Sequence, residues 1–135
     1  MKTLLFVYNG DGGSLNSLIH LLHKTFSPKT YACNLCKIIY GPLGMRAEWK
    51  SFIASIGRTV TFLHRDEFHL RYGLQNILLP AVFTESNENR AELWIDANSI
   101  NAIKSVDELK KLIVDRMRKE PTDAVHATSV NPKSN

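Results

Sequence analysis

Cys33-Asn34-Leu35-Cys36 holds the only two cysteines among 135 residues. At this spacing two sulfurs can close a small disulfide ring or grip one metal ion. Dithiol chemistry needs one thiol with a depressed pKa, supplied by a helix N-terminus or by nearby cations. Lys37 is adjacent and Lys29 is close in sequence. On this reading Cys33, the first of the pair, is the nucleophile and Cys36 the resolving thiol. Structural zinc needs four ligands, and a second cysteine pair is absent. The zinc alternative therefore adds histidines from His20, His23, His64, His69 and His126. Of these, His64 and His69 follow a predicted strand and could approach the cysteine loop. His20 and His23 read as surface residues of a helix. A third reading treats both cysteines as small hydrophobes that fill space, beside Leu35, Ile38 and Ile39.

Other candidate chemistry is thinner. Gly10-Asp11-Gly12-Gly13-Ser14 could present backbone N–H groups to a phosphate. It lacks the lysine of a P-loop, and Asp11 would repel an anion. His64-Arg65-Asp66-Glu67 has acid–base residues, but acids at a helix start are ordinary. Trp49 and Trp94 read as core aromatics rather than a base-stacking platform.

The elements that must position the cysteines follow from periodicity. Thr3–Tyr8 is nearly all apolar, as a central strand buried on both faces should be. Leu15, Leu18, Ile19, Leu22 and Phe26 have helical spacing, and Ser27-Pro28 ends that helix. Lys29 to Gly44 reads as an irregular segment holding the cysteines. Met45, Trp49, Phe52, Ile53 and Ile56 mark a second helix, which Gly57 stops. Thr59–His64 is β-branched and aromatic, and reads as a second strand. Asp66–Tyr72 reads as a short helix, Ile77–Phe83 as a strand entered through Pro80, and Glu92–Ile95 as its hairpin partner. Ser105 and Glu108 form a capping box for the last helix.

Composition bounds the rest. The chain is 44% hydrophobic with a formal charge of +4. That fits one globular domain, assigned to residues 1–118, followed by a disordered tail over 119–135. Acids interrupt the basic residues, so no nucleic-acid arm is expected. The apolar start stops at Asn9 without a cleavage site, and no run can span a membrane. A cytoplasmic location follows, with no membrane partner and no cofactor; oligomeric state is not legible. There, C-x-x-C favours redox or metal chemistry over a permanent staple.

The element order, with Leu79-Pro80-Ala81-Val82-Phe83, then Leu93-Trp94-Ile95-Asp96, then Ser105-Val106-Asp107-Glu108-Leu109, resembles the thioredoxin-like fold. The resemblance implies an α/β three-layer sandwich: a mixed four-stranded sheet with helices on both faces. It makes Pro80 the cis proline that precedes the third strand and faces the redox cysteines. It also implies a disulfide partner, either a protein or a small thiol. One departure stands out. The family places C-x-x-C directly after the first strand, where this chain has Asn9-Gly10-Asp11-Gly12-Gly13-Ser14. The start Val7-Tyr8-Asn9, with Tyr31, the cysteine motif and Tyr40-Gly41, is also similar to a small uncharacterised bacterial protein family. The competing function is a non-enzymatic binding or adaptor domain of the same fold.

Overall fold

Leu4, Leu5, Phe6 and Val7 are fully buried, so both faces of the first strand are covered. In the computed structural model, which describes residues 2–10, 33–74, 76–86 and 89–120, this strand is β1, Thr3–Val7. It is central. The sheet order is β4-β1-β5-β6, with β4 at Val60–Leu63, β5 at Ala81–Glu85 and β6 at Ala91–Ile95. β1 runs parallel to β4, pairing Val7 with Leu63. It runs antiparallel to β5, pairing Val7 with Ala81, and β5 is antiparallel to β6. The architecture is mixed α/β.

Alternation along β1 divides the core in two. Leu4, Phe6 and Tyr8 join Val82 on one face, under α1 (Asn34–Ile39), α2 (Ala47–Ser55) and the helices near the end of the described chain. Leu5, Val7, Ala81 and Phe83 form the other face, with Phe68 packed on them from α3, Arg65–Tyr72. The chain thus covers both faces of one sheet with apolar helix stripes, the arrangement that buries a two-sided strand.

Several expectations change at their edges. The segment expected to be irregular up to Gly44 contains α1 and a small hairpin, β2 (Tyr40–Gly41) with β3 (Gly44–Met45). The strand expected from Ile77 begins only at Ala81. Pro80 has no N–H to give a ladder and stands just before it, with the Leu79–Pro80 peptide cis. A six-residue helix, α4 (Ala97–Ala102), follows β6 and was not expected; Asp96 caps it by accepting the N–H of Ser99 at 2.9 Å. The last helix, α5, spans Val106–Lys119. Its Ser105 cap forms as expected, accepting from Glu108 N–H at 3.2 Å. The Glu108 carboxylate, however, accepts from the N–H of Lys104 at 2.9 Å rather than from Ser105. The helix expected around Leu15–Phe26, the glycine-rich turn beyond Gly10 and the tail from Pro121 lie outside the described residues.

Arg58 ties the sheet to α5. Its side chain is 1% exposed and bonds Glu120 at 2.6 Å. Its Nε and Nη2 donate to the carbonyl of Lys2 at 3.0 and 2.7 Å. The guanidinium also lies over the Trp94 ring, 5.6 Å from its centre. Arg58 is buried and Glu120 partly exposed, so removing Arg58 loses its charge-assisted hydrogen bonds and its packing, at a cost of about 3 kcal/mol. Arg58→Ala should lower the unfolding free energy by about that much in urea titration. Glu120→Gln should cost less, because both bonds to the Lys2 carbonyl survive.

Across the sheet, the Tyr72 hydroxyl donates to Glu85. Burial, then this bond, pushes the Tyr72 pKa up to about 12. An unfolded tyrosine ionises near 10. The contribution is therefore complete below pH about 10 and lost as pH rises towards about 12. Tyr72→Phe should shrink that loss in unfolding free energies measured from pH 9 to 12.

Candidate functional site

Cys33 is the N-cap of α1, with extended backbone angles of φ −124° and ψ 98°. A serine or aspartate at such a position accepts the N–H of a residue two or three on. Here a sulfur takes that place. Cys33 Sγ accepts from the Cys36 N–H at 3.4 Å and from the Asn9 N–H at 3.5 Å. The Cys36 thiol points at the same sulfur, 2.7 Å away. Both residues are fully buried and unbridged.

The helix exists because its sequence serves two sides. Leu35, Cys36, Ile38 and Ile39 turn inward and are buried. Asn34 faces elsewhere, and its amide donates to the carbonyls of Ile100 at 2.9 Å and Ile103 at 3.0 Å. Asn34, one of the two residues between the cysteines, thus anchors them to the C-terminal end of α4.

The two thiols are polarised in opposite senses. The hydrogen bond from Cys36 holds Cys33 below the ordinary thiol value, helped by the N–H groups of Asn9, Cys36 and Leu35 and opposed by burial. Burial pushes Cys36 up, as does its bond to Cys33. Of the two thiols, Cys33 is therefore the easier to ionise and Cys36 the better to keep its proton. That is the division a dithiol nucleophile and its resolving partner require.

Aromatic rings line the neighbourhood. Tyr8 follows β1 and is nearly buried, and its hydroxyl lies 3.2 Å from that of Tyr40. Its ring stacks on Phe62 at 5.9 Å and meets the His64 ring at the same distance. Burial first, and then Tyr40 and both cysteines, raise its pKa. Arg65 donates to the Asn9 side chain at 3.5 Å, and its own N–H bonds the Gly10 carbonyl at 2.8 Å. These residues gather at the carboxyl ends of β1 and β4, where open α/β sheets place their chemistry.

Pro80 belongs to the same end of the sheet. Val7 pairs with Ala81, so Pro80 stands one register position further, beside Tyr8. Asn9, the next residue of the chain, carries the N–H bonded to Cys33. Among the described residues the histidines do not converge. His64 Nδ1 is 2.6 Å from Glu67. His69 lies on α3, its Nε2 buried without a hydrogen-bond partner among the described residues. No group of three or more His, Cys, Asp or Glu able to hold a metal occurs among the described residues. His20, His23, His126, Lys29 and Tyr31 lie outside them.

Tyr8, Asn9, Asn34 and Tyr40 escaped the sequence reading as site residues. Their contacts to the cysteine helix join distant segments, and no local pattern signals them. Comparison with protein-family models, with curated proteins and with solved structures finds no match to this chain.

Alkylation by iodoacetamide, mapped by mass spectrometry, should modify Cys33 before Cys36. Its pH midpoint should fall below the about 8.5 of a free thiol. Cys36→Ala removes the S–H donor, so the Cys33 midpoint should move up.

Proposed function

We propose that this chain is a cytoplasmic thioredoxin-like domain whose Cys33–Cys36 pair cycles between dithiol and disulfide. The observation that carries the reading is the pair of sulfurs in direct contact, with the N–H groups of Asn9 and Cys36 on Cys33. The fold supports it. The order β4-β1-β5-β6, β1 parallel to β4, an antiparallel β5–β6 hairpin entered through cis Pro80, and a capped last helix agree with what the resemblance implies. Among the described residues no helix is long and apolar enough to cross a membrane.

The displaced motif also finds an account. The family's redox cysteines follow its first strand directly. Here the cysteines come later in the chain, yet Cys33 sits against Asn9, at the end of β1. Chain order differs while the place in the sheet agrees.

In the reaction, Cys33 thiolate attacks one sulfur of a partner disulfide. That S–S bond breaks, and the leaving thiolate takes a proton from solvent. A mixed disulfide joins Cys33 to the partner. Cys36 then loses its proton and attacks Cys33 Sγ, releasing the partner's second thiolate. The pair ends oxidised by two electrons, and the partner disulfide ends as two thiols.

Full burial of both sulfurs favours a second reading, a binding or adaptor domain whose cysteines only pack. Incubation with a small aromatic disulfide separates the two. Redox chemistry predicts a Cys33–Cys36 disulfide, no exchange in Cys33→Ser, and a trapped mixed disulfide on Cys33 in Cys36→Ser. Thiols that stay reduced in the folded protein and react only on unfolding would falsify the redox assignment and leave the adaptor.

A further inference from the structure

The outward side of α1 forms one wall of a groove of about 700 Å³. That is within the size range of small-molecule sites. Lys37 and Asn34 come from α1, Arg46 and Glu48 from the start of α2, and Lys104 from the turn between α4 and α5. Three cations meet a single carboxylate.

Several cations elsewhere on the described surface are held in ion pairs. Lys2 pairs with Glu92, Arg71 with Glu85, Lys111 and Arg118 with Asp115, and Lys110 with Asp107. Lys37, Arg46 and Lys104 have no ion-pair partner among the described residues, and neither has Glu48. Three unpaired cations against one carboxylate leave the groove net positive, which attracts an anion.

Arg46 is held in advance of any ligand. Its Nε donates to the Ile38 carbonyl at 2.9 Å. Its guanidinium lies on the bare backbone of Gly41, where an added Cβ would come within 3.4 Å of Nη1. The terminal nitrogens keep donors to spare, in the fork geometry that suits a carboxylate or a phosphate. Ile103 and Val106 add apolar lining for an organic body.

We propose that this groove binds a small organic molecule carrying a multiply charged oxyanion, phosphate or carboxylate, on Arg46, Lys37 and Lys104. The site stands apart from the thiol chemistry: Lys37 and Cys36 are on different sides of α1, one exposed and the other buried.

The test is a ¹⁵N–¹H NMR titration of the full chain at fixed ionic strength, with pyrophosphate and with citrate as probes and chloride as control. At least one polyanion should give saturable shifts centred on Lys37, Arg46 and Lys104. The tighter of the two identifies the phosphate or the carboxylate class. The double variant Lys37→Gln/Lys104→Gln alters only exposed side chains, so its spectrum should otherwise match. It should bind at least about tenfold more weakly. Arg46→Lys keeps the charge but loses the fork, and should also weaken binding. Shifts that stay linear to the end of both titrations, or undiminished affinity in the double variant, overturn the site.

Discussion

A buried sulfur that is to carry negative charge must be solvated by the protein itself. Three donors do this for Cys33: the Cys36 thiol, the Cys36 N–H and the Asn9 N–H. Two come from the turn that begins at Cys33, and one comes from the end of β1. That last bond decides the geometry of the region. It fixes the start of α1 to the central strand, and it sets where the cysteines stand relative to Pro80 and Tyr8. The amide of Asn34 then secures the other side of the same turn to α4. Between them, the Cys33 sulfur and the Asn34 amide hold one short helix on two neighbours.

The same turn divides labour by direction. Inward, α1 gives Leu35, Cys36, Ile38 and Ile39 to the core. Outward, it presents Lys37 to a cationic groove. A helix of six residues is too short to be stable from its own hydrogen bonds. Its order therefore comes from tertiary contacts, and substitutions on either side are felt on the other.

Much of the frame was legible in the residues. Unbroken apolar sequence marked β1 as central, because strand faces alternate and both had to be covered. Trp49, Phe52 and Ile53 at helical spacing marked α2, and Ser105 with Glu108 marked the start of α5. The cysteine helix was hidden because its cap is a cysteine. Sulfur is a weak acceptor, and nothing in Cys33-Asn34-Leu35-Cys36 announces the long-range N–H that makes it work. α4 was hidden for a related reason: Ala97–Ala102 has little apolar periodicity, and only Asp96 signals its start. Arg58 carried no signal in the sequence, since the carbonyl of Lys2 and the carboxylate of Glu120 that receive it are remote along the chain.

β1 is the most buried strand, and it is also the first element of the described chain. Its partners are β4, which begins at Val60, and β5, which begins at Ala81. A ribosome that has delivered β1 must add the rest of the domain up to Glu85 before both edges of that strand can be filled. Through that interval the strand is an apolar ribbon with open backbone groups on each side. Such a segment is a template for pairing with other chains. The sequence distance from β1 to β4 and β5 thus sets how much chain must be made before those edges close.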